Sequence, residues 1–199
     1  MYSSASKQFL KHVISLTSLD CHNNLSYIVK VIKSQKVLAI NEADCQEFIE
    51  IVLIPLLQEK TYISDAILLF ETCLPYMTAN ILQKHSKTFI SQLYQLLHLS
   101  KKNSAESMIY HILYTIAIFF DYISNFSAIK TMVVQQYMGQ YIPVLLEYCD
   151  SNKVNKLAFQ SLKLILSNYT AHLRTYYEQV QSILLASLSI TENVKMSKL

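Results

Sequence analysis

A single glycine, Gly139, and three prolines, Pro55, Pro75 and Pro143, are all that this chain of 199 residues contains of the two residues that punctuate regular structure. Average usage is about 7% glycine and about 5% proline. Tight turns, β-bulges and phosphate-binding loops depend on both residue types. Their scarcity leaves architectures that need few special backbone angles, which means helices joined by short connections.

Apolar periodicity agrees. In the 152–168 stretch, Val154, Leu157, Ala158, Leu162, Ile165 and Leu166 fall on one stripe of a 3.6-residue helix, with Lys153, Lys156, Gln160 and Lys163 on the other side. The same reading predicts helices near 4–18, 24–35, 42–59, 62–74, 78–85, 87–101, 104–124, 128–138, 140–149 and 171–188. Asn41 ahead of Glu42 and Asp44, and Asn103 ahead of Glu106, have the spacing of N-terminal caps. Asp150, Ser151 and Asn152 offer caps for the 152–168 helix. Gly139 suits the left-handed position that closes a helix, and Pro143 the first turn of the next. The 104–124 helix is apolar almost all round, which predicts a buried central helix with His111 as a hydrogen-bonded core residue.

The apolar share is 52% and the charged share 16%, ample for a core. The longest uncharged apolar run, Ser107 to Phe120, is 14 residues, short of the ~20 a membrane-spanning helix needs. Lys7 and Lys11 interrupt the first apolar stretch, unlike a secretory signal, whose basic residues precede an unbroken apolar core. The expectation is an intracellular protein of cytoplasm or nucleus, not secreted and with no membrane partner. Cys21, Cys45, Cys73 and Cys149 are scattered without close pairing, as structural thiols are in a reducing compartment.

The sequence offers little for catalysis. Phosphate loops and dinucleotide folds need several glycines for close backbone approach. No paired histidines stand at helical spacing, so helix-borne metal sites lack ligands. Cys21–His22 is the one adjacent thiol–imidazole pair, and neighbours in sequence diverge on a helix. Glu47 and Glu50 share a helix face and read as solvated acids. The expectation is no enzyme activity, no catalytic residue, no cofactor and no metal.

Charge alternates along the chain. Seven acids against Lys60 give residues 41–71 a charge of −6, whereas five lysines against Asp20 give residues 1–40 a charge of +4. Sixteen of the seventeen basic residues are lysine, with Arg174 the exception. Guanine readout favours the bidentate fork of arginine, so sequence-specific DNA recognition is disfavoured.

The stretch from Tyr141 to Asn168 resembles a HEAT repeat, with Pro143, Leu145 and Leu146 in a first helix and Asp150 in the turn. Val154, Ala158 and Leu162 stand at the matching places of the second helix, and Asn155 replaces the arginine often found after the valine. A weaker echo runs through Ile54, Pro55, Leu56 and Leu57 to Tyr62, Ala66 and Phe70, and the extra 128–138 helix leans towards armadillo geometry. The resemblance implies an all-α fold of stacked antiparallel helical hairpins, a HEAT/armadillo-like α-solenoid of about ten or eleven helices. It implies one helical-repeat domain over 1–199, the N-terminal part of a longer solenoid. Thr191–Leu199 would be a turn and the start of an interrupted hairpin, frayed or docked on a partner.

Second helices line the concave face of such a solenoid, so Lys153, Lys156, Gln160 and Lys163 would project there. Side-by-side packing of the last two long helices would add Tyr169, His172, Arg174, Tyr176 and Tyr177. Aromatic and basic residues of this kind anchor interfaces. The sequence reading is therefore a scaffold or adaptor subunit of a multi-subunit complex that binds a peptide or helical partner. Non-specific nucleic-acid binding by the lysine rows is the alternative. Homo-oligomerisation through the C-terminal hairpin is a third.

Overall fold

The computed structural model describes residue 29 and residues 42–59, 61–149 and 155–196, with side chains to residue 186. The helices expected at 4–18 and 24–35 (Val29 apart), the Cys21–His22 pair, Lys153 and the caps at 41 and 150–152 lie outside the described residues. Every regular element among the described residues is helical, so the protein is all-α.

Helix α1 covers 42–58 as Glu42–Phe48, a π segment Ile49–Leu53 and Ile54–Gln58. Helix α2 is Ile63–Cys73, closed by a 3₁₀ turn Leu74–Tyr76, and α3 is Ala79–Lys102. Helix α4 is Glu106–Ile123. Helix α5 covers 127–149 as Ser127–Val133, a π segment Val134–Met138 and Gly139–Cys149. Helix α6 is Lys156–Tyr169; the 3₁₀ segment Thr170–Tyr176 joins it to α7, Tyr177–Met196. Contacts divide the chain into Met1–Thr115 and Ile116–Leu199, and the division falls within α4.

In the first unit, the end of α1 packs against α2 and α3. Phe48, Leu53 and Leu57 are fully buried there, and Phe70 meets Phe89 edge-on at 5.3 Å. In the second unit, the Gly139–Cys149 segment of α5 packs against both α6 and α7. Phe120 is the centre of its aromatic cluster, edge-on to Tyr141 at 5.2 Å and to Tyr169 at 6.2 Å. The offset edge-to-face arrangement suits the charge distribution of the rings.

Several boundaries differ from the sequence expectation. Residues 79–102 form one helix where two, 78–85 and 87–101, were expected. The reason is that the buried stripe runs unbroken through Leu82, His85, Ser86 and Phe89, with two polar residues in inward positions. Gly139 has φ of −62° and lies within a continuous helical run instead of closing one. The left-handed position belongs to Ser104, with φ of 53°. It follows α3, where the N–H of Ala105 donates to the Ser100 carbonyl and that of Ser104 to the Lys101 carbonyl, the two bonds of a Schellman closure. Asn103 therefore ends α3 and does not cap α4.

Helix α6 starts at Lys156 with Asn155 as its cap, the side-chain oxygen accepting from the Leu157 N–H at 2.8 Å. The expected turn at Thr191 is absent, because α7 continues to Met196. The two π segments stand ahead of Pro55 and Pro143, residues that withhold the ordinary helical N–H. His111 is exposed, while the neighbouring α4 positions Ile112, Leu113 and Ile116 are fully buried as expected. Among the described residues the buried histidine is His85.

Candidate interaction surface

Helix α6 buries Ala158, Ser161, Leu162, Ile165 and Tyr169. That inward stripe leaves Lys156, Gln160 and Lys163, at i, i+4 and i+7, on one outward face. Lys156 and Lys163 are exposed and Gln160 is half-buried. No ion pair neutralises either lysine among the described residues.

Tyr169 does not join that face. It is 2% exposed, and its hydroxyl donates to the Phe120 carbonyl at 2.6 Å. Burial, and then the charge of Asp121, pushes its phenol well above the ordinary value. The side chain is thus a packing residue, and the expectation of a partner contact there gives way to its place in the core. Its sequence neighbour Asn168 donates through Nδ2 to Asp121 at 2.5 Å. Lys130 donates to the Asn168 carbonyl at 3.2 Å and places its ammonium 5.0 Å from the centre of the Tyr169 ring. These bonds fix the point where α6 passes into the 3₁₀ segment.

Beyond that point, Leu173 is buried and anchors the segment. The residues flanking it, His172 and Arg174, are exposed because the tight 3₁₀ path puts only every third side chain on one side. Tyr176 is half-buried and Tyr177 is 67% exposed, one of the most exposed large apolar side chains described. Exposed Glu178 follows it, so the patch is basic and aromatic but not uniformly positive. Helix α7 packs on the Gly139–Cys149 segment.

Of the expected residues, the structure therefore presents Lys156, Gln160 and Lys163 on α6, His172 and Arg174 on the 3₁₀ segment, and Tyr176 and Tyr177 at its end. Sequence reasoning missed Lys130, Asp121 and Asn168. They are 38 and 47 residues apart along their two hydrogen bonds, and no local pattern signals such pairings.

The arrangement offers hydrogen-bond donors, positive charge and one exposed aromatic ring. Among the described residues, no group of three or more His, Cys, Asp or Glu could hold a metal. No described helix is long and apolar enough to cross a membrane.

Fold and surface together define an all-helical protein that presents lysines, an arginine and a tyrosine to solvent. The family model of RIX1, rRNA processing/ribosome biogenesis, matches residues 7–195, and the chain belongs to that family. No curated protein and no solved structure matches it. RIX1 is a family of ribosome-biogenesis factors and not a known enzyme family.

Proposed function

We propose that this protein is a non-catalytic scaffold subunit of a ribosome-biogenesis assembly, working in the nucleus or nucleolus, and that it docks a peptide or helical segment of a protein partner. The docking surface is the outward face of α6 with the following 3₁₀ segment. The observation that carries the reading is the exposure of Lys156, Lys163, Arg174 and Tyr177 beside a corner locked by Tyr169. A surface that is fixed before binding loses less conformational entropy on association. A HEAT-like stacking of the hairpins is part of this proposal. It is supported by the packing of α6 on the Gly139–Cys149 segment, where Cys149 lies 3.6 Å from the Ala158 carbonyl.

The test is affinity purification of the tagged protein from its own cells after nuclease treatment, comparing wild type with a Lys156→Glu, Lys163→Glu, Tyr177→Ala variant. Loss of a stoichiometric protein partner from the variant supports the reading. An unchanged partner set removes the surface from consideration.

Binding to RNA is the second reading, favoured by the same lysines and by an exposed aromatic ring on which a base can stack. It differs in its salt dependence. RNA affinity would fall linearly in log salt, and for a single-stranded target each lysine removed from a phosphate would flatten the slope by about 0.7.

A further inference from the structure

The acidic 41–71 stretch lies in the first unit, and its charges differ in their surroundings. Glu50 is paired with Lys84 at 2.7 Å, and Glu42 accepts from Thr78 and Asn80. Glu71 is different. Thr115 donates to it at 2.6 Å, and no cation is paired with it among the described residues.

Glu71 borders a cavity of about 240 Å³ between α2 and α4, with Ser64, Ile67, Leu68, Met108 and His111 as its other walls. Leu68 is 41% exposed at its rim, so an apolar side chain stands uncovered beside an acid. A second cavity of about 310 Å³ shares Ser64 and Met108 with the first and extends to Ser100 and Asn103. The two adjoin at Ser64 and Met108 within the first unit, and together they are taken as one groove. Neither is lined by a lysine or an arginine.

Ser100 supplies an independent sign of an occupant. It is 1% exposed, its hydroxyl has no hydrogen-bond partner, and it lines the second cavity. Thr72, Ser161, Ser167 and Thr170 all donate to the carbonyl four residues back on their helices. Ser100 and Ser86 do not, and of these two unpartnered hydroxyls it is Ser100 that lines a cavity, where an occupant could reach it. A buried hydroxyl without a partner is costly, by about 1–3 kcal/mol, which a hydrogen-bonding ligand would recover.

We infer that this groove is a docking site for a short basic-apolar segment of a partner protein. One apolar side chain enters between Leu68 and Met108, a lysine or arginine meets Glu71, and a polar group of the segment's backbone reaches Ser100. Charge complementarity selects this occupant over an acidic peptide or a nucleic acid, because the carboxylate at the groove repels both. The site is independent of the α6 surface and stands or falls separately from it.

Display of random twelve-residue peptides against the full chain tests the inference, followed by fluorescence anisotropy with the enriched peptides. The expected consensus places Lys or Arg within a few residues of Leu, Met or Phe. Glu71→Gln, which keeps an acceptor for Thr115 but removes the charge, should weaken binding about two- to fivefold. Leu68→Ser should weaken it as well, whereas Lys156→Glu should leave it unchanged. Circular dichroism melting of each variant separates lost binding from lost folding. Enrichment of acidic peptides, or affinities indifferent to both Glu71→Gln and Leu68→Ser in folded variants, would overturn the proposal.

Discussion

The hydroxyl of Tyr169 reaches 49 residues back along the chain to donate to the carbonyl of Phe120 at 2.6 Å. The same carbonyl already accepts from the Ser124 N–H at 3.0 Å, the ordinary bond of the last turn of α4. One oxygen thus serves both the end of a helix and a tertiary tie, and the Tyr169 ring packs edge-on against the Phe120 ring beneath it.

Tyr169→Phe should therefore cost only about 1 kcal/mol, because the carbonyl left behind keeps its helical partner. Tyr169→Ala should cost about 3–5 kcal/mol, since it empties a buried aromatic site. Urea denaturation of the two variants separates the hydrogen bond from the packing. Equal losses would mean that the hydroxyl contributes nothing.

Gly139 occupies an ordinary helical conformation, and a Cβ built on it meets nothing within 4 Å. Gly139→Ala should stabilise the protein by ~0.5–1 kcal/mol, through the unfolded chain's lost freedom. Ser104 presents the opposite case, an L-residue at φ of 53° where glycine would be relaxed. Ser104→Gly should stabilise by about 1 kcal/mol. Denaturation midpoints check both, and a destabilised Gly139→Ala would show that the helix is not continuous there.

Glu50 is held at about 2, below its ordinary 4.5, by hydrogen bonds from Lys84 and Gln46, by the Lys84 charge and by His85. A carboxyl whose native value is lowered stabilises the fold fully above 4.5, and that contribution is lost as pH falls through 2. The pair is exposed to solvent, so its effect on stability is small. Carboxyl NMR titration should give a low value for Glu50 that returns toward the ordinary one in Lys84→Met. An unshifted Glu50 in the wild type would mean that the pair does not persist in solution.

Cys45, Cys73 and Cys149 are all buried, and none of them is in a disulfide. Burial, with Glu42 nearby, pushes Cys45 up to about 12, and burial also raises Cys73. The thiolate is the reacting species, so neither should alkylate at pH 8 in the folded protein. Mass spectrometry after iodoacetamide treatment should find Cys45 and Cys73 unmodified until denaturant is added. Rapid native labelling of either would place it in a locally opening segment.

The helical class was legible because glycine and proline scarcity and a 3.6-residue apolar period are local properties that every helix must satisfy by itself. The outward face of α6 was legible for the same reason: once Ala158, Leu162 and Ile165 face inward, Lys156 and Lys163 face out. Some helix ends were legible too, since 62–74 and 104–124 were expected where Ile63–Cys73 and Glu106–Ile123 stand, but others were not. The break expected between 85 and 87 is absent, because His85 and Ser86 are both buried inside a single α3. Gly139 looked like a terminator because it can adopt a left-handed angle, although nothing obliges it to.

The sequence by itself determined the secondary structure class, the stripes and the charge blocks, since these depend on residues within a turn or two of each other. Tertiary structure alone decided that Tyr169 turns inward to Phe120 and that Glu71 borders the same cavity as Leu68, Met108 and His111. Those relations join residues tens of positions apart, and their free energy comes from packing and desolvation that exist only once the helices have met.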